Sequence, residues 1–274
     1  MGLLRYSPRI LEPEAMVTPD EVRAYDRLSA QYLDILHKGF VETVLGGCPA
    51  GGSVLEIGTG TGRIAALLAR HGPGLRITGV DLSPDMLVVA RENVESGNVG
   101  GGVALVLGDA KRLPFPDGAF DAVVSHNMLH HLPDPLPLVD EAFRVAKPDG
   151  AVFIRDLVRP PDSLIPWHAA VFGFGYDPRM KRQYLDSMRA ALTWAEWRAL
   201  FARHRARGAV LSRQFLTHAT IARPWRGGDS GIRLPGSTAA RWARRLYVGC
   251  GRARPAAREP EPSGPLQHDR RTRP

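Results

Sequence analysis

A chain of 274 residues with 44% hydrophobic and 7% aromatic residues can bury a sizeable core, and it contains no run of 18 apolar residues that would span a membrane. Two cysteines, Cys48 and Cys250, lack metal-ligand spacing and are too few for a disulfide framework, so the chain reads as a reduced, cytoplasmic protein. The net charge of +8 is concentrated at one end: residues 226–274 carry 11 Arg against 4 acids, leaving 25 basic against 24 acidic residues in 1–225, which argues against nucleic acid as a partner of the folded part.

The first residues, Met1 to Pro19, mix Arg5, Arg9, Glu12 and Glu14 with prolines, unlike the basic start and apolar core of a secretory leader. From Pro19 to Leu45 apolar residues (Val22, Tyr25, Leu28, Tyr32, Ile35, Leu36, Phe40, Val44) fall at steps of three and four, which predicts one or two amphipathic helices within an N-terminal cap over 1–52. Gly46 to Gly52 then breaks the pattern.

Between Ser53 and Asp156 strand and helix signals alternate. Strands are expected at 53–57, 76–81, 103–107, 120–125 and 150–156, and helices at about 61–71, 84–96 and 135–146. Ser83-Pro84 is a helix opening, and Lys147-Pro148-Asp149-Gly150 reads as a turn. Repeated βα units with near-continuous apolar strands imply an α/β fold, a doubly wound and mostly parallel sheet whose ligands sit beyond the strand C-terminal ends. Residues 157–192, with Trp167, His168, Tyr176, Arg182 and Tyr184, read either as a lid that shapes a substrate site or as an irregular helical layer. Thr193-Trp194-Ala195-Glu196 is a capping box opening a helix to about 205, and 210–215 and 217–222 alternate like a hairpin that completes the sheet. The binding domain is therefore expected over 53–225. The Pro/Gly/Arg-rich stretch 226–274 has the composition of a disordered tail.

The chemistry concentrates at Val54-Leu55-Glu56-Ile57-Gly58-Thr59-Gly60-Thr61-Gly62-Arg63, a strand, a glycine turn and a helix start. Glycines there let a ligand approach the backbone, and the helix start offers unpaired N–H groups. A dinucleotide fingerprint requires a third glycine where Arg63 stands, so an oxidoreductase on a Rossmann-like sheet is the disfavoured alternative. A non-catalytic binding protein is the other.

The segment from Ser53 to Asp156 resembles the class I S-adenosylmethionine-dependent methyltransferases. The resemblance rests on that turn and on four further motifs in order: Gly79-Val80-Asp81-Leu82-Ser83-Pro84-Asp85-Met86-Leu87, Gly108-Asp109-Ala110, Phe120-Asp121-Ala122-Val123-Val124-Ser125 and Arg144-Val145-Ala146-Lys147-Pro148-Asp149-Gly150. The segment Leu129-His130-His131-Leu132 is similar to the small-molecule branch that includes the quinone-ring methyltransferases. The resemblance implies a seven-stranded Rossmann-like sheet, S-adenosyl-L-methionine as cofactor and a small-molecule methyl acceptor. It further implies that Gly58, Thr59, Gly60 and Gly62 hold the methionine portion, with Glu56 either receiving its ammonium or orienting the turn. Asp81 would accept from the ribose hydroxyls or serve only as a turn and cap residue. Leu82 and Met86 would pack on the adenine, with Met86 equally suited to the core, while Asp109 would accept from the adenine amino group beside Ala110 or be a solvated loop acid. His126 and Asn127 would lie near the sulfonium, and His131 matches an acid/base position of the phosphoethanolamine methyltransferases or is a histidine satisfied by local hydrogen bonds. His130-His131 has no cysteine or carboxylate cluster at ligand spacing, so no metal is expected.

Overall fold

The computed structural model describes residues 5–13, 18–214 and 217–226. Except for Arg226, the tail expected over 226–274 lies outside the described residues. Five parallel strands follow from the apolar runs: β1 (Ser53–Ile57), β2 (Arg76–Asp81), β3 (Val103–Leu107), β4 (Phe120–His126) and β5 (Ala146–Arg159). A two-residue β6 (Leu192–Thr193) pairs with the far end of β5, and the hairpin of β7 (Val210–Gln214) and β8 (His218–Arg223) completes the sheet antiparallel to β5. The spatial order β3-β2-β1-β4-β5-β8-β7 is the seven-strand path the sequence implied, with β6 as a short addition to one side. The reversal of order at β1 and β4 opens a crevice above their C-terminal ends.

The period-two alternation of each strand divides the core between two faces. Leu55, Ile57, Val123 and Ile154 pack with Leu138 and Val139 of α5 (Leu136–Val145) and Trp197 of α8 (Trp194–Ala202). Val54, Ile77, Val124 and Phe153 pack on the other face against α2 (Asp34–Leu45) and α3 (Arg63–His71). Burial at this scale is worth about 25 cal/mol per Å² of apolar surface, so the sheet is held from both sides while its C-terminal edge stays free for polar groups.

Two N-terminal helices form, as the periodicity required. α1 (Pro19–Leu28) is capped by Thr18 and runs through one π-helical turn, Ser29–Leu33, into α2. α4 (Pro84–Ser96) begins where Ser83 accepts the Met86 N–H. The 157–192 stretch is a helical layer of α6 (Ile165–Phe172) and α7 (Pro178–Ala190), seated on β5 through Leu157, Ile165, Met188 and Ala191. Its Tyr176 ring lies 5.1 Å from that of Tyr32, which ties the layer to the N-terminal cap.

Three local expectations are corrected. The helix after the glycine turn starts at Arg63, not 61, because Gly62 has φ 72° and must precede it. α8 ends at Ala202 and not near 205. The turn expected at 147–150 is instead the irregular start of β5, whose register shifts between Phe120 and Ala122. Arg223 steadies that irregularity by donating to the carbonyls of Gly150 and Lys147, each at 2.8 Å.

Candidate active site

The glycine turn lies across the end of β1. Gly58 and Thr59 both donate to the Val80 carbonyl, at 2.9 and 3.0 Å, so the turn is fixed to the neighbouring strand before it bends. Gly58, Gly60 and Gly62 take φ values of 72°, 52° and 72°, the left-handed region that strains any other residue. Their surroundings differ. A Cβ on Gly62 would lie 2.9 Å from Ala90 Cβ in α4, and one on Gly58 would meet Met128, whereas a Cβ on Gly60 would enter open space. Gly62 thus serves helix packing, and Gly60 faces open space.

Glu56 sits behind this turn, 2% exposed. Its Oε2 accepts from Thr59 Oγ1 at 2.6 Å, and the Ala65 N–H in the first turn of α3 also holds its carboxylate. Burial, the largest influence, pushes its pKa up to about 8, and the Asp81 charge adds to the shift. Of the two roles open to Glu56, this geometry favours orienting the turn.

Asp81, at the end of β2, bridges two elements. Oδ2 accepts the Gly60 N–H at 2.8 Å and Oδ1 accepts the Ser83 N–H at 2.9 Å. Burial raises its pKa against those backbone hydrogen bonds. A carboxylate oxygen has about two acceptor positions, so both oxygens retain capacity for ligand hydroxyls. Asp109, after β3, accepts the Lys111 N–H at 2.8 Å and faces the Lys111 ammonium at 3.3 Å through the same Oδ1. Asp81, Asp109, Gly58, Leu82, Ala110 and Met128 line one cleft. Leu82 is 41% exposed there, while Met86 is buried with Val22 and Val89 beneath α1 and is not part of that lining.

After β4, Asn127 adopts φ 54° and donates its backbone N–H to the Arg155 carbonyl at 2.9 Å, and its side-chain Oδ1 is buried without a hydrogen-bond partner. His126 is buried with its ring 4.7 Å from Phe40, 5.6 Å from His37 and 6.3 Å from His218. Burial and the Arg155 charge hold its pKa well below the ordinary histidine value, so the ring is neutral.

His130 and His131 follow on a short 3₁₀ turn, Leu129–His131. The buried His130 Nδ1 lies 2.7 Å from Asp156 Oδ1, and its backbone N–H reaches Asp156 Oδ2 at 3.2 Å. Burial opposes charge on the His130 ring, but the Asp156 carboxylate overrides it and raises the pKa. His131 turns the other way: Nδ1 lies 3.2 Å from the Pro13 carbonyl and 3.4 Å from Glu12 Oε2. Burial and the His130 charge push its pKa down to about 3. Glu12 is therefore near both histidines, a cluster that spacing alone did not suggest because Pro13 and His131 are 118 residues apart. Asp156 also went unassigned in the sequence, although an acid near the end of a parallel strand, as at Asp81, was an available signal.

The glycine turn after β1, the acid closing β2 and the acid following β3 thus meet at the C-terminal edge of a sheet of this order. Residues 55–154 match the family described as Methyltransferase domain. The chain is similar to quinone methyltransferases. It is 36% identical over 130 residues to a ubiquinone/menaquinone biosynthesis C-methyltransferase of Desulfotalea psychrophila, covering 47% of this chain and 51% of the relative. It is 34% identical to a demethylmenaquinone methyltransferase of Thermotoga maritima, covering 51% of this chain and 62% of the relative. The matched region thus spans about half to three-fifths of these curated relatives' length. Among solved structures, an S-adenosylmethionine-dependent methyltransferase from Aquifex aeolicus aligns with TM-score 0.54 at 20% identity over 76% of this chain and 98% of that one, a likeness of fold.

Proposed function

We propose that this chain transfers a methyl group from S-adenosyl-L-methionine to a small-molecule acceptor by in-line displacement. The observation that carries the reading is the open space over Gly60, in a turn braced by Asp81. No other glycine of the turn offers that space, and a side chain there would fill it. The residues present fit the cofactor. Gly58, Thr59 and Gly60 would hold its methionine portion, with Gly62 packing the helix start on α4 and Glu56 fixing the turn from behind. Asp81 would accept from the ribose hydroxyls, Leu82 and Ala110 would flank the adenine, and Asp109 would accept from its amino group. Asn127 Oδ1, buried and without a hydrogen-bond partner, supports a polar ligand group near the end of β4, with His126 packed behind it.

When bound, the cofactor supplies an electrophilic methyl on a sulfonium. The protein's task is then alignment and exclusion of water, worth several kcal/mol when the reacting atoms are held in line. His131, whose Nδ1 is turned to Pro13 and Glu12 and whose pKa is pushed down to about 3, is a poor base near neutral pH, and we assign it no proton transfer. The N-terminal helices and the α6–α7 layer, with Tyr25, Tyr32, Trp167, His168, Tyr176, Arg182 and Tyr184, would shape the acceptor site. The names of the relatives make a ring carbon of a demethylated quinone precursor the first acceptor to assay. The neutral balance of 1–225 argues for a small molecule over nucleic acid. Among the described residues no helix is long and apolar enough to cross a membrane, and we place the protein in the cytoplasm.

The test is incubation of the full chain with the methyl donor and a metabolite extract supplemented with demethylated quinols, with mass detection of products heavier by one CH₂. A labelled-methyl product and S-adenosylhomocysteine in equal amounts support the proposal. Cofactor binding without any product in quinol and extract arms would favour the non-catalytic alternative.

A further inference from the structure

We propose that Glu12, His130 and His131 form a zinc site that fastens the N-terminal segment to the turn after β4. Glu12 Oε2 lies 3.4 Å from His131 Nδ1 and 3.8 Å from His130 Nε2, and the three ligand atoms lie within 4.8 Å of one another. Ligands about 2.0–2.1 Å from a tetrahedral zinc are about 3.3–3.4 Å apart, so the two Glu12 distances are near that spacing and the histidines would draw in around the ion. Two imidazole nitrogens and one carboxylate oxygen suit zinc better than magnesium or calcium, which prefer all-oxygen shells.

The surroundings support this assignment independently of those distances. His130 Nδ1 is engaged by Asp156 Oδ1 at 2.7 Å, which leaves Nε2, on the Glu12 side, as the nitrogen that would take the ion on releasing any proton it holds. A carboxylate orienting the far nitrogen of a histidine is the usual outer support of a zinc ligand. In the ion-free site the Pro13 carbonyl accepts from His131 Nδ1–H at 3.2 Å, so zinc would replace that proton on Nδ1. Glu12 and His131 side chains remain 19% and 27% exposed, so an ion can enter and a water can complete the coordination. Bound zinc would restrain the turn immediately before Leu132, which lines the cleft with Met128.

The experiment uses the full chain, stripped with a chelator and dialysed, and does not depend on methyl transfer. Zinc is titrated calorimetrically and cobalt by visible absorption, with thermal melts at each stoichiometry. The expected result is one equivalent bound, intense tetrahedral cobalt bands and a higher Tm with zinc. Glu12→Gln and His131→Ala should each weaken zinc at least about tenfold, and Asp156→Asn should do so through His130 orientation, in the range of about 10–100-fold. If either of the two exposed variants melts abnormally, the cobalt spectrum of the unsubstituted chain still decides. No saturable binding, a weak octahedral cobalt spectrum, or unchanged affinity in both Glu12→Gln and His131→Ala would overturn the proposal and leave an adventitious ion only.

Discussion

Asp81 holds Gly60: its Oδ2 accepts the Gly60 N–H at 2.8 Å, while its other oxygen starts α4 through the Ser83 N–H. One carboxylate thereby sets both the open face of the glycine turn and the helix beside it. Asp81→Ala leaves two backbone donors without their acceptor, a loss of about 1–3 kcal/mol in folding stability. Methyl-donor affinity should fall by about 10–100-fold, the scale of losing hydrogen bonds to a charged acceptor. Urea denaturation and equilibrium titration measure the two effects separately. An unchanged affinity would remove Asp81 from the binding site and leave it a turn residue.

The glycines at 60 and 62 should separate binding from folding. Gly60→Val places a side chain in open space, at a left-handed φ of 52°, so the expected cost to the fold is a strain of about 1–2 kcal/mol with nearly complete loss of donor binding. Gly62→Val drives Cβ to within 2.9 Å of Ala90 Cβ and should destabilise the fold by more than Gly60→Val does. Circular dichroism melts of the two variants check the order. Equal losses of stability would show that the Gly60 face is not open.

Glu56 predicts the pH dependence of stability in the absence of ligand. Its folded pKa of about 8 stands above the ordinary 4.5, so its protonated form is favoured by folding. Its contribution is complete below about pH 4.5 and is lost as pH rises to about 8, by at most on the order of 5 kcal/mol. Glu56→Gln keeps an acceptor for Thr59 without the charge. Relative to the unsubstituted chain, the variant should gain stability progressively from acidic pH to about pH 8. Parallel denaturation curves at every pH would contradict a buried, protonated Glu56.

Asp26 and Arg63 fasten α1 to the start of α3 through two hydrogen bonds, of 2.9 and 2.8 Å, and Asn93 joins them by donating to both Asp26 and the Thr61 carbonyl. The residue that argued against a dinucleotide fingerprint therefore works as an anchor. A double-mutant cycle with Asp26→Asn and Arg63→Gln should give a coupling of about 1 kcal/mol, as expected for a bidentate, part-buried pair. Additive effects would mean that the Asp26–Arg63 pair does not help to dock α1, leaving Val22, Arg23–Glu92 and Asn93–Asp26 to hold it.

The sequence made the sheet legible because strand alternation and punctuating turns act locally: β1 to β4 begin at the expected residues, and Ser83 and Thr193 cap the helices they were expected to cap. Two acids that line the cleft were also legible, because Asp81 closes β2 and Asp109 follows β3 by two residues. What spacing could not supply was contact across the chain. Nothing near Glu12 indicated that it would meet His130 and His131, and the packing of Met86 beneath Val22 depends on where α1 docks. The irregular start of β5 was read as a turn because Pro148 and Gly150 are common in turns, but Arg223 from the opposite end of the described chain satisfies its carbonyls.

The central claim is that the Gly60 turn holds the methyl donor, and the most direct measurement is calorimetric titration of S-adenosylmethionine into the full chain and into a folded Gly60→Val variant. The account predicts one molecule bound per chain, no comparable binding of NAD, and loss of donor binding in Gly60→Val. Failure of the unsubstituted chain to bind the donor, or retention of full affinity by Gly60→Val, would contradict it.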